Sequence, residues 1–240
     1  MSLNESFIRE ISTIMAPSRV YFDEPMKRHT TFKIGGPADC LLLPQSLEEV
    51  RRVLLATHEH DLPLEILGNG SNVLVRDKGV RGVVLVFGED FGSIKQFGNK
   101  IVAGAGALLK NVAAFAAEKS LSGLEFAVIE AVKSVDREGV IKETAGSDLS
   151  LSYRHSVFQQ NGEAICEVTL HLIPGDQEEI RSVMADLTAR REAKQPLELP
   201  SAGSTFKRPV GGYAAALIEQ SGLKGYSVGG AEVSVKHSGF

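Results

Sequence analysis

Apolar positions along this chain switch repeatedly between the helical and the strand period, and the switches outline its elements. Phe7, Ile11 and Ile14, with Ile8 and Met15 alongside, recur at helical spacing and predict a short amphipathic helix at the start. Residues 37–44 form an apolar run closed by Pro44, the pattern of a buried strand. Ser46 and Glu49 then make a capping box for a helix striped by Leu47, Val50, Val53 and Leu54. Strands are expected at 64–67 and 73–75, on either side of the small-residue run Gly68-Asn69-Gly70-Ser71-Asn72. The turn Asp77-Lys78-Gly79 and a buried strand at 83–87 follow.

The second half repeats these signals in another order. A strand at 101–103 leads through Gly104-Ala105-Gly106 into a helix bearing Leu108, Val112 and Phe115, which ends before Gly123. Strands at 132–135 and 140–142 flank Asp136-Arg137-Glu138-Gly139, a hairpin signal. Residues 164–173 alternate, with Ala164, Cys166, Val168, Leu170 and Leu172 on one face and Glu167, Thr169 and His171 on the other. Asp176 and Glu179 cap a helix with Ile180, Val183, Met184 and Leu187 on one side. Its basic end, Arg190, Arg191 and Lys194, complements the negative pole of the helix dipole, and Pro196 stops it. The strand–helix–strand rhythm predicts an α/β or α+β layered fold. A domain boundary is placed near this helix, because residues after Pro196 are loop-rich.

Bulk properties narrow the class. Apolar residues at 43% and charged residues at 23% are ordinary for a soluble globular protein. A net charge of -4, with no basic stripe interleaved with aromatics, argues against nucleic acid as a partner. No apolar run reaches the length of a membrane helix, and Asn4, Glu5, Arg9 and Glu10 interrupt any signal-peptide pattern, so a cytoplasmic protein is expected. Cys40 and Cys166 lie in apolar strand-like runs and read as buried free thiols. His58-Glu59-His60 has the look of a metal pair but sits at a helix end, where solvated side chains are the expectation; no metal is predicted.

Candidate chemistry concentrates in four places. Gly68-Asn69-Gly70-Ser71-Asn72 leaves a strand end, where glycine allows close backbone approach and converging amides suit a phosphate; a plain tight turn is the alternative. Gly104-Ala105-Gly106 before a helix is a weaker anion signal, with a simple turn as the competing reading. Arg154, between Tyr153 and His155, has the fork to grip a carboxylate, and a surface arginine in a turn is the alternative. Ser204 lies before Lys207 and Arg208 in Ala202-Gly203-Ser204-Thr205-Phe206-Lys207-Arg208-Pro209. A hydroxyl among cations gives up a proton more easily, whereas a capping serine in a solvated basic loop is the plainer reading.

These pieces occur in an order that resembles one family. His29-Thr30-Thr31-Phe32-Lys33-Ile34-Gly35-Gly36-Pro37-Ala38, Leu67 to Asn72, Gly123-Leu124-Glu125-Phe126-Ala127, Tyr153-Arg154-His155-Ser156, Ala202 to Pro209, Gly222-Leu223-Lys224-Gly225-Tyr226 and Gly229-Gly230-Ala231 follow one another along nearly the whole chain. The chain resembles the UDP-N-acetylenolpyruvoylglucosamine reductases, NADPH-dependent flavoenzymes of peptidoglycan precursor synthesis. The short span between Arg154 and Ser204 resembles the family's second type, which lacks an inserted tyrosine-bearing loop. The resemblance implies an α+β fold: an N-terminal helix (1–20), an FAD-binding domain of the vanillyl-alcohol-oxidase type in two subdomains (21–195), and a substrate-binding domain (196–240). It implies Gly68, Asn69, Gly70, Ser71 and Asn72 on the FAD pyrophosphate and Gly104, Ala105 and Gly106 near the flavin. Ser204 matches the proton donor and Arg154 the arginine on the substrate carboxylate. Lys194, Lys207 and Arg208 are candidates for phosphate or carboxylate contacts to a UDP-sugar.

Two departures qualify the match. Ala127 passes directly to Val128, where the family continues through a Gly-rich FAD-binding stretch, and the chain ends at Phe240, where the family's tail carries a catalytic glutamate. Both fall beside the expected flavin, in segments of the kind that order on ligand binding. The expectation is therefore that Ala127 and Val128 stand farther apart than the ~3.8 Å of a peptide link. Rival readings are a non-catalytic flavin or UDP-sugar binding remnant, and another FAD oxidoreductase on the same fold.

Overall fold

In a computed structural model, which describes residues 3–124 and 128–240, the opening stripe folds as α1 (Glu5–Ile14). Asn4 caps it by accepting from the Phe7 amide at 2.7 Å, and Phe7, Ile11 and Ile14 are buried. The Ala127–Val128 junction lies outside the described residues. The first sheet contains β1 (Val20–Pro25) and β2 (Pro37–Leu42), followed by α2 (Leu47–Glu59), β3 (Leu64–Leu67) and β4 (Val80–Val86), in the order β1-β2-β4-β3. β1 runs antiparallel to β2, whereas β2 and β3 both lie parallel to β4. The α2 cap departs slightly from the box: Ser46 accepts from the Glu49 amide, but the Glu49 carboxylate accepts from Gln45 rather than from Ser46.

A hairpin of β5 (Ile94–Phe97) and β6 (Lys100–Gly104) opens the second half, then α3 (Leu109–Glu118) and the short β7 (Leu121–Ser122). Next come β8 (Val128–Val135), β9 (Ile141–Ala145), α4 (Phe158–Asn161), β10 (Ala164–His171) and β11 (Ile173–Pro174). The second sheet is antiparallel throughout, ordered β5-β6-β10-β8-β9. One core joins both sheets: Phe7, Ile11, Val53 and Leu54 of the helices pack with Cys40, Leu42 and Leu85, and with Val135, Ala164 and Cys166. Each Phe, Ile, Leu or Val side chain among them, fully buried, contributes about 1.5–3 kcal/mol. The chain ends with α5 (Gln177–Lys194), α6 (Ala214–Gln220) and a ribbon of β12 (Ser227–Val228) and β13 (Ala231–Glu232). No helix among the described residues is long and apolar enough to cross a membrane.

Several expectations fail locally. Residues 73–75 are not a strand; Val75 packs beside Gly35, and the Gly36 amide donates to Arg76. β10 does not alternate cleanly, because bulges at Ile165/Glu167 and Thr169/Leu170 break its register. The apolar side of α5 is not buried: Val183 and Leu187 are about half exposed, along a groove against α3. His60 is not solvated, since Glu10 bonds its Nε2 at 2.9 Å and Phe7 meets its ring edge-on. Among the described residues no group of three or more His, Cys, Asp or Glu is placed to hold a metal.

Cys40 and Cys166 are buried free thiols. Burial pushes both up from 9.0 to about 12, with Asp39 and Glu167 adding to it. A value raised in the folded state favours folding below the unfolded value and loses that contribution as pH climbs past it. Between pH 9 and 10, stability is therefore expected to fall by up to about 1.4 kcal/mol per pH unit for each thiol. Denaturant titrations at pH 8, 9 and 10 check this against a Cys166→Ala variant, whose slope is expected to be shallower. Equal slopes would mean that Cys166 ionises freely in the native state.

Candidate active site

The parallel strands β3 and β4 end side by side, and a cavity of about 470 Å³ opens at their carboxyl ends. Its wall comprises Ile66, Gly68 and Phe87 from the first sheet, and Gly104, Ala105 and Val168 from the second. Carboxyl ends of parallel strands are where α/β sheets hold ligands. The bulges in β10 turn Ile165, Val168 and Leu170 onto this cavity together, an outcome that strict alternation does not give.

The two glycine loops serve different ends. Around the second, every amide is consumed: Gly104 donates to Ser93, Ala105 to Cys166, Gly106 to Phe91 and Ala107 to Gly104. This loop is a wall and not an anion nest, so its turn reading holds and its reading as a helix-start anion site does not; α3 begins only at Leu109. Gly106 does not line the cavity. A Cβ there would stand 2.1 Å from the Gly88 carbonyl oxygen, and one at Gly104 would stand 2.1 Å from that of Phe91. In the first loop the amides of Asn69, Gly70, Ser71 and Asn72 donate to no described residue. Gly70 has φ +60, and a Cβ there would lie 1.9 Å from the His29 carbonyl oxygen. Gly68 is unlike all of these. It needs no positive φ, and its Cβ would meet nothing of the protein nearer than the Ala105 oxygen at 3.9 Å. A glycine that protein packing does not require, on a cavity wall beside four free amides, leaves room for a ligand's phosphate backbone.

A second cluster brings the two halves of the sequence together. Arg154 adopts φ 55, rare for a side-chain-bearing residue. It is held by reciprocal backbone bonds of 3.1 Å between Ser152 and His155 and by Gln159, whose amide donates to its carbonyl. Its guanidinium lies near the phenol of the neighbouring Tyr153, which accepts from the Arg208 amide at 3.4 Å. The Arg154 contact first, and then Arg208, lower the Tyr153 phenol below its ordinary value. Arg208 in turn stacks 4.1 Å above Tyr213. Tyr153 thus ties Arg154 to the loop carrying Ser204, Lys207 and Arg208, all of them exposed. Lys194 closes α5 and is exposed there. Tyr153 stands beside Arg154 in the sequence, and only the fold brings it to Arg208, 55 residues on.

Much of this cavity's wall, from Ile66 to Val112, lies in a stretch whose sequence marks an FAD-binding protein. Residues 38–143 match the profile of an FAD binding domain, and residues 195–240 that of the UDP-N-acetylenolpyruvoylglucosamine reductase C-terminal domain. A UDP-N-acetylenolpyruvoylglucosamine reductase of Clostridium botulinum is 43% identical over 264 residues, covering all of this chain and 86% of the relative. One from Alkaliphilus metalliredigens is 40% identical over 260 residues, covering 98% of this chain and 86% of its own. The crystal structure of the reductase MurB from Thermus caldophilus superposes with a TM-score of 0.76 at 34% identity, over 90% of this chain and 85% of that one. The chain belongs to the UDP-N-acetylenolpyruvoylglucosamine reductase (MurB) family. A 4-ethylphenol oxidase from Gulosibacter chungangensis, at 16% identity and a TM-score of 0.53 over 70% of this chain and 42% of its own, shares the fold alone. The 264-residue alignment exceeds the 240 residues of this chain, so within the matched region the clostridial relative carries at least 24 residues with no counterpart here.

Proposed function

We propose that this chain, in the cytoplasm, reduces the enolpyruvyl ether of UDP-N-acetylglucosamine enolpyruvate to UDP-N-acetylmuramate with NADPH. The observation that carries the reading is the pairing of a free-amide glycine loop on an apolar cavity with an Arg154–Tyr153–Arg208 cluster on the Ser204 loop. FAD, when bound, supplies hydride-transfer chemistry between NADPH and the enolpyruvyl double bond. Gly68 to Asn72 hold its pyrophosphate through backbone amides and the Asn and Ser side chains, while Gly104 and Ala105 wall the flavin side, with Gly106 fixing that turn. Arg154 grips the substrate carboxylate and stabilises the charge that builds there once one carbon of the double bond has taken the hydride. Ser204 delivers a proton to the neighbouring carbon. Lys194, Lys207 and Arg208 serve the phosphates of the UDP-sugar. In this reading the working units are 1–20, 21–195 and 196–240.

The test begins with flavin. Titration is expected to show FAD binding, and NADPH consumption beyond the one equivalent that reduces the bound flavin is expected only when the enolpyruvyl UDP-sugar is present. Gly68→Val is expected to weaken FAD binding at least about tenfold, since bulk on the cavity wall displaces ligand, while leaving the melting temperature of the ligand-free protein within about 2 °C. Unchanged FAD affinity in Gly68→Val would remove this cavity from consideration as the cofactor site.

A further inference from the structure

Two threonines stand side by side before the Gly35-Gly36 turn, and they point their hydroxyls to very different places. Thr30 is buried, and its Oγ1 donates locally to the Ile34 carbonyl at 3.0 Å. Thr31 reaches out of its own segment: its Oγ1 donates to the Ser201 carbonyl at 2.7 Å, and the Ser201 amide returns a bond to the Thr31 carbonyl at 3.2 Å. The Thr31 amide meanwhile donates to the Gly70 carbonyl at 3.1 Å, within the free-amide loop. Thr31 is therefore bonded at once to the cofactor loop and to the segment leading into Ser204.

The Ser204 side of this link is short and stiffly built. Ser201 Oγ accepts from the Gly203 amide at 3.0 Å, Gly203 turns the chain with φ +75, and the Thr205 amide is fixed to the Gly239 carbonyl at 3.1 Å. Ser204 itself sits between these two anchors, and its hydroxyl bonds to no described residue. Its position relative to the cofactor loop is thus set through Ser201 at one end and Gly239 at the other. We infer that Thr31 is a positioning residue, whose side chain holds the Ser204 loop in register with the cofactor loop so that the proton is delivered where the hydride arrives. The inference rests on Ser204 as the proton donor.

The test compares Thr31→Val, which keeps the shape and the backbone bonds but loses the donor, with Thr31→Ser, which restores it, and with Thr30→Val as the local control. In the ligand-free protein, hydrogen exchange of residues 199–206 is expected to rise about fivefold in Thr31→Val, the change that one ordinary hydrogen bond supports. Residues 64–74 are expected to stay unchanged. With FAD bound, bleaching of the flavin by NADPH is expected within about twofold of the parent, and its reoxidation by the enolpyruvyl substrate about tenfold slower, as small misplacements of a catalytic group produce. The solvent isotope effect on reoxidation is expected to rise, Thr31→Ser to recover the parent values, and Thr30→Val to leave residues 199–206 unmoved. Unchanged exchange in Thr31→Val, raised exchange with unchanged reoxidation, or equal slowing of both flavin steps overturns the positioning role. Ser204→Ala, run in parallel, separates the two claims. If that variant reoxidises at the parent rate, the donor reading fails by itself. If it is slow while Thr31→Val is not, only the positioning role fails.

Discussion

A Ser204→Ala enzyme is expected to bleach its flavin with NADPH at close to the parent rate and to reduce the enolpyruvyl substrate at least about 10²-fold more slowly, the contribution typical of a positioned general acid. The expectation comes from where the loop puts the hydroxyl. It is exposed and bonds to no described residue, which leaves its proton available to a bound substrate. Loss of the hydroxyl removes nothing that flavin reduction uses, so the two half-reactions should separate in a stopped-flow trace. Equal slowing of both would assign Ser204 to architecture instead of proton transfer.

Arg154 is expected to give the other large effect. Arg154→Ala should lower kcat for substrate reduction by about 10²–10³, the range for losing a preorganised stabiliser of developing charge. Arg154→Lys should recover only a small part, because an ammonium keeps the charge but not the planar fork. The left-handed backbone at Arg154 costs of order 1 kcal/mol, which the Ser152–His155 bonds and Gln159 hold in place. The turn therefore fixes the backbone from which the guanidinium projects before substrate arrives. Steady-state kinetics with an unchanged kcat and a raised KM would show that Arg154 binds the substrate without acting in the transition state.

How much of this was legible in the sequence depends on whether the deciding force was local. Ser46 before Glu49 and Asp176 before Glu179 cap helices within three residues, and both helices begin there. The Asp136–Gly139 hairpin was equally legible, because Val140 bonds Asp136 through backbone and side chain alike. Residues 73–75 carry a strand's composition, but their neighbour in space is the Gly35–Gly36 turn, which no local pattern announces. β5 was missed, since only Ile94 of its four residues is even partly withdrawn from solvent and its pairing partner is β6. In the site, glycine loops and cationic motifs stand out as composition. Tyr153 and Thr31 do not, because each gains its place from a partner 55 or 170 residues away.

The unequal treatment of the glycines bears on how such a protein would change over generations. Gly70, Gly104 and Gly106 are each fixed by a carbonyl of the protein itself, so any substitution collides whether or not a flavin is ever made. Gly68 meets no such carbonyl, and in the proposed reading only the ligand constrains it. In a descendant that had given up its cofactor, the first three would persist as relics of folding, and the fourth would be released to drift. Within one loop, the residue most informative about lost chemistry is thus the one whose replacement the fold would not notice.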